Sequence, residues 1–145
     1  MIVHDSLHGN TERIARAIGS AIPGEVEVRR VSEVSSAQLK PFDLLIVGSP
    51  TQGGRATPAI RDFIDGVPSP ALKGASVAAF DTRIPARWVA IFGYAAGWIA
   101  GELKKKGGTL VAPPEGFFVK GTEGPLKEGE VERAGAWAKG MAGGG

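Results

Sequence analysis

The chain has 145 residues, an ordinary length for one domain, and its 43% hydrophobic and 22% charged residues are globular values. It carries no cysteine and two histidines, which excludes disulfide frameworks, iron–sulfur clusters and Cys- or His-rich metal sites. The net charge of +2 is too small, and its basic runs Arg29-Arg30 and Lys104-Lys105-Lys106 too short, for a nucleic-acid footprint. Met1 runs straight into Ile2-Val3 with no basic region before an apolar one, so nothing reads as a signal peptide, though a longer native start is left open. The longest uncharged apolar-rich run, Trp88 to Gly101, is too short for a bilayer span. These features predict one cytoplasmic domain over 1–145, with no membrane insertion and a frayed tail over 141–145.

Ile2-Val3 opens a short strand ending near His4-Asp5. Ile14, Ala15, Ile18 and Ile22 recur at helical spacing over Thr11 to Ile22, and Pro23-Gly24 stops that helix. Val26, Val28 and the following Arg-Arg-Val read as an edge strand, and Ser35-Ser36 caps a short helix through Leu39. Leu44 to Val47, closed by Gly48, is a continuous apolar run suited to a strand buried on both faces. Ser49 to Thr57 is a loop, and Pro58 begins a helix to about Asp65 with Ile60, Phe63 and Ile64 inward. Ser76 to Phe80 is the fourth strand and Asp81 to Arg87 a second loop. Val89 to Lys106 reads as a long helix ended by Gly107-Gly108, with Gly93, Gly97 and Gly101 marking a face close against a sheet. Thr109 to Ala112 and Phe117 to Val119 form a fifth strand broken at Pro113-Pro114, and Lys127 to Met141 is the last helix, with Val131, Ala134, Ala138 and Met141 on one stripe.

A β-α unit repeated five times without repeats or linkers implies an α/β sandwich with a parallel sheet and helices on both faces. In such sheets ligands bind beyond the carboxyl ends of the strands, at the switch point of the strand order. Three loops of unusual composition collect there. The first, Asp5 to Thr11, offers backbone N–H groups, Ser and Thr hydroxyls and a helix start, so it can hold a phosphate without a lysine. It is neither a P-loop, for lack of Gly-Lys-Ser/Thr, nor a three-glycine dinucleotide fingerprint. The acids of the helices form no close catalytic pair and read as solvated faces, and Trp98 and Trp137 read as packing or surface residues.

Ser6-x-x-Gly9-Asn10-Thr11-Glu12 after the first strand resembles the phosphate loop of the flavodoxin family. So do Phe42-Asp43-Leu44-Leu45-Ile46-Val47-Gly48-Ser49-Pro50-Thr51, Gly74 to Phe80, and Leu110 to Val119, in order and over nearly the whole chain. The resemblance implies a flavodoxin-like three-layer sandwich, α/β, with a five-stranded parallel sheet of order 2-1-3-4-5, and FMN as cofactor. Ser6, Leu7, His8, Gly9, Asn10 and Thr11 would surround the phosphate, with His8 where the family usually has Thr. Pro50, Thr51, Gln52, Gly53 and Gly54 would line the isoalloxazine, the two glycines permitting a peptide flip toward the flavin, and Arg55 could face its N1. Asp81, Thr82, Arg83 and Trp88 would close over the ring, Trp88 by stacking, and Arg83 or Arg87 could cover a face by cation–π contact.

The implied function is short-chain FMN electron transfer to a redox partner protein or a small-molecule acceptor, by a monomer or weak dimer. One departure keeps an alternative open. Carriers of this family are generally strongly acidic and this chain is slightly basic, so an FMN-dependent NAD(P)H or quinone reductase is the second expectation. A flavin-free scaffold of the same architecture is the third.

Overall fold

The computed structural model describes residues 1–36, 43–69, 71–85 and 94–143. In chain order these form β1 (Ile2–His4), α1 (Asn10–Ala21), β2 (Val28–Arg30), a 3-10 turn (Val31–Glu33), β3 (Leu44–Pro50), α2 (Pro58–Gly66), β4 (Ser76–Arg83), α3 (Ala95–Lys105), β5 (Thr109–Leu110), β6 (Glu115–Phe118) and α4 (Glu130–Gly143). The strands pair in parallel in the order β2-β1-β3-β4-β5, and β6 also pairs with β4. β5 and β6 are therefore one strand position in two pieces. Ser76 and Val77 face Thr109 and Leu110, pairing lapses across the two prolines, which lack an N–H, and Phe80 resumes it opposite Glu115.

Alternation along the central strands divides the core into two layers. Leu45, Val47, Val77 and Ala79 point to one face, where Ile60, Phe63 and Ile64 of α2 and Ala95, Ile99 and Leu103 of α3 cover them. Ile46, Ala78, Phe80 and Phe117 point to the other, under Ile14, Ala15 and Ile18 of α1 and Ala134, Ala138 and Met141 of α4. Trp137 belongs to this second layer, edge-on to Phe80 and Phe117 with centroids 6.4 and 6.0 Å away. Among the described residues no helix is long and apolar enough to cross a membrane.

Several boundaries differ from expectation for identifiable reasons. β3 runs on through Gly48 to Pro50 because Phe80 packs over the bare Gly48 backbone, where a Cβ would overlap the edge of its ring. β4 runs on through Asp81, Thr82 and Arg83, expected as a loop, because β3 and β6 pair with those residues from both sides. The glycine face of α3 is reversed. Gly97 and Gly101 point to open space, and the alanines and Ile99 between them meet the sheet. Val26 precedes β2 rather than opening it. The short helix expected through Leu39, the start of the long helix at Val89, Gly93, Arg87 and Trp88 lie outside the described residues, wholly or in part.

Candidate functional site

The carboxyl ends of β1, β3 and β4 converge on a cavity of about 310 Å³. Its lining combines the loop after β1 (Ser6, Leu7, His8) with Asn10 and Thr11 of α1. Pro50 to Gly53, Thr82 and Arg83 form the opposite side. The order of the sheet produces this convergence, since β1 and β3 leave in opposite directions from the switch point.

The loop after β1 is pinned at both ends. Asp5 N–H donates to the Gly48 carbonyl (3.2 Å), and Ser6 N–H to Asp5 Oδ1 (3.0 Å). Ser6 Oγ accepts from Glu12 N–H at 3.3 Å, which closes the first turn of α1. Gly9 takes φ 87° at the helix entry, a left-handed conformation that glycine adopts without a Cβ penalty. Between these anchors, the N–H groups of Leu7, His8, Gly9, Asn10 and Thr11 donate to no protein acceptor among the described residues. Five consecutive free donors at the positive end of a helix dipole form a cradle for an anion.

The other walls are equally built. Thr11 Oγ1 and Thr82 Oγ1 share a hydrogen bond of 2.8 Å, tying α1 to β4 at the cavity floor. Gln52 and Arg55 exchange both backbone hydrogen bonds (2.8 and 2.9 Å) around Gly53 and Gly54 at φ 55° and 80°. That is a tight turn needing two positive φ angles, and only the Gly-Gly pair supplies them without strain.

Asp81 is not on the cavity lining. It is fully buried and turned toward α3, accepting from Arg83 Nε (2.7 Å), Arg83 Nη2 (2.8 Å) and Ala96 N–H (2.9 Å). Burial pushes its pKa up, against the pull of Arg83 and of the Ala96 N–H. Arg83 thus lines the cavity while bound to Asp81 and lying 3.5 Å above the centre of the Tyr94 ring. Thr51 Oγ1 accepts from Ala95 N–H at 3.1 Å, so both loops are tied to the start of α3. Gly9 and Gly54 shape their turns without lining the cavity, and Trp88 lies outside the described residues.

Ile84 lines the cavity from the loop expected to close over it, and two further lining residues, Val119 and Thr122, escape a sequence reading. Asn10 Nδ2 bonds the Glu123 carbonyl (3.2 Å), which brings the segment after β6 to the phosphate side. The small, turn-rich Gly121 to Gly124 stretch at a strand end was the available signal. No Trp, Tyr or Phe lines the cavity among the described residues; the apolar groups at its rim are Leu7 and Ile84, 53% and 40% exposed.

Two titratable groups nearby are buried. His4 ends β1 beneath the loop, 2% exposed, its Nδ1 without a partner among the described residues, and its burial lowers its pKa. Glu130, expected on a solvated face, is 7% exposed instead. It accepts from Phe118 N–H (2.7 Å) and from Arg133, whose guanidinium holds its carboxyl below the usual range.

An anion cradle at a helix start, opening into a cleft at the switch point of a doubly wound sheet, is the plan of a protein that binds a phosphate-bearing mononucleotide. A family model described as a flavodoxin domain matches residues 1–87, and the chain belongs to the flavodoxin family. Flavodoxins bind FMN and carry electrons, and the donor set found here suits a phosphate monoester. Among solved structures, the chain is similar to oxidised flavodoxin 2 from Bacillus cereus. The two are 26% identical over 99% of this chain and 97% of that one, with a TM-score of 0.85. A flavodoxin from the Archaea matches at 23% identity and TM-score 0.81, covering 99% and 95% of the two chains. A short-chain flavodoxin associated with a non-canonical PDU bacterial microcompartment matches at 17% identity and TM-score 0.80, with the same coverage. No curated protein matches the chain.

Proposed function

We propose that this chain holds FMN with its phosphate on the Ser6–Thr11 loop and its ring system between the Gln52–Gly53 backbone and Thr82–Ile84. The row of five free N–H groups at the start of α1 carries the reading, because it is a donor set with no acceptor of its own. When bound, FMN supplies one- and two-electron chemistry. The protein's part is to orient and to tune.

The N–H groups from Leu7 to Thr11 and the Ser6 hydroxyl would hold the phosphate, and a ring N–H of His8 could add a donor from the same lining. The Gln52–Arg55 turn presents a backbone free to reorient at Gly53, whose added Cβ would meet nothing within 4 Å. Arg83 is held by Asp81 at the edge of the cavity, so its charge is fixed relative to the ring. Thr11 and Thr82 spend their hydroxyls on each other and set the depth of the cleft.

The protein is a redox carrier by family, and we take its acceptor to be a cytoplasmic redox protein or a small molecule. The test is reconstitution of apoprotein with FMN, followed by NAD(P)H oxidation under multiple turnover. A carrier takes up one flavin per chain and shows no sustained NAD(P)H oxidation without an added reductase. Sustained oxidation by the holoprotein alone would instead establish the reductase.

A further inference from the structure

A second cleft of about 580 Å³ opens on the far side of the Gln52–Arg55 turn, between α2 and α3. Arg55 and Arg61 contribute guanidinium groups, and Tyr94 and Trp98 contribute rings. Neither arginine has a carboxylate within ion-pair distance among the described residues. Arg61 Nε is buried, with no hydrogen-bond partner among the described residues. Two guanidinium groups without a carboxylate offer charge-assisted donors to an anion in the cleft. Trp98 is 37% exposed, an unusual setting for so large an apolar ring. Gly97 beside it leaves the helix backbone open, with nothing within 4 Å of an added Cβ. The cleft therefore offers positive charge at one side and flat apolar surface at the other, within the usual size range of small-molecule sites.

Its position adds meaning. Gln52 and Gly53 line the first cavity, and Gly54 and Arg55 line the second. Adjacent residues of one turn separate the two, and neighbouring Cα atoms stand about 3.8 Å apart.

We propose that this cleft is a second binding site, for a small planar aromatic molecule bearing a carboxylate, sulfonate or phosphate, placed one turn away from the flavin. The binding stands on the two arginines and two rings alone, whereas its closeness to the flavin rests on the FMN reading. Arg55 and Arg61 receive the anionic group and Trp98 the ring. The mild positive charge of this chain fits such a ligand, where an acidic surface would repel it.

The test is calorimetric titration with anthraquinone-2-sulfonate of both apoprotein and FMN-loaded protein. Menadione serves as a neutral ring and inorganic sulfate as an anion without a ring. Anthraquinone-2-sulfonate is expected to bind both forms with similar affinity, at least tenfold tighter than either control, leaving the flavin absorbance in place. Arg55→Gln and Arg61→Gln should each weaken it about tenfold, the loss of one charge-assisted contact, and Trp98→Ala should weaken it with unchanged FMN uptake. Thermal melts show which variants are folded, and Arg55, exposed in a turn, provides the variant least able to disturb the core. Displacement of FMN by the probe, equal binding of menadione or sulfate, indifference to Arg55→Gln, or no binding to the wild-type chain would each overturn the proposal. Failure of the FMN reading has a separate signature, an apoprotein that takes up no flavin while it still binds the probe.

Discussion

Gly48→Ala and Gly101→Ala make the same chemical change at two glycines and should move stability in opposite directions. At Gly48 the new methyl overlaps the edge of the Phe80 ring. Phe80 cannot swing aside. It is fully buried, with Phe117 edge-on at 6.1 Å and Trp137 edge-on at 6.4 Å. Overpacking of a tight core costs about 1–3 kcal/mol, and a methyl overlapping the edge of a buried ring belongs at the upper end. At this chain length about 3 kcal/mol lowers Tm by roughly 6–12 °C. At Gly101 the methyl meets nothing within 4 Å on the outer face of α3, and the gain in helix propensity is about 0.5–1 kcal/mol, or roughly 1–4 °C.

The Gly48 variant should also bind FMN more weakly, because the Gly48 carbonyl anchors Asp5 N–H at the root of the phosphate loop. Adding Phe80→Leu to Gly48→Ala should recover part of the stability, a coupling absent between Phe80→Leu and Gly101→Ala. Thermal and urea unfolding of all five variants measure this. A Gly101→Ala variant less stable than wild type would mean that α3 turns its glycines to the sheet after all, and a neutral Gly48→Ala would refute the packing described at β3.

Two further perturbations address the ground beneath the site. His4 is buried neutral with its pKa depressed, so the folded state loses stability as pH falls from about 6.5 toward the lower folded-state value, by at most about 1.4 kcal/mol per pH unit. Urea unfolding at pH 7.5 and 5.5 should show a larger loss in wild type than in His4→Leu; equal losses would show that His4 is not its source. Glu12 and Glu130, both depressed, act only below about pH 4.5, whereas the Met1 amino group, lowered by burial, and Asp81, raised by burial, contribute alike in both chains and cancel in the comparison. Asp81→Ala leaves Arg83, 16% exposed, and the Ala96 N–H without an acceptor, and should cost about 3 kcal/mol in chemical unfolding. A cost under about 1 kcal/mol would mean that water replaces the carboxylate at the start of α3.

The sheet was legible because its central strands are continuous apolar runs, and alternation along Leu44 to Val47 and Ser76 to Phe80 assigns each side chain to a layer. The phosphate loop was legible because small residues open a helix directly after a strand. Asp81 and Arg83 misled for a physical reason. A polar pair reads as loop when its only compensation is a mutual ion pair and a helix N–H contributed from fifteen residues on, at Ala96. Glycines at Gly97 and Gly101 carry no side chain, so the sequence holds no sign of which way they face; the burial of Ala96, Ile99 and Leu103 decides it. Val119 and Thr122 reach the cavity only through pairing of β4 with β6 and the turn that follows, which no local pattern encodes.

The central claim is that the loop from Ser6 to Thr11 is a phosphate cradle, and the most direct test is to titrate apoprotein with FMN and with riboflavin, which differ by the phosphate alone. Two charge-assisted hydrogen bonds, of the five donors available, contribute about 3 kcal/mol. FMN should therefore bind at least about 100-fold more tightly, at one per chain, by quenching of flavin fluorescence. Equal affinities for the two flavins would contradict the account.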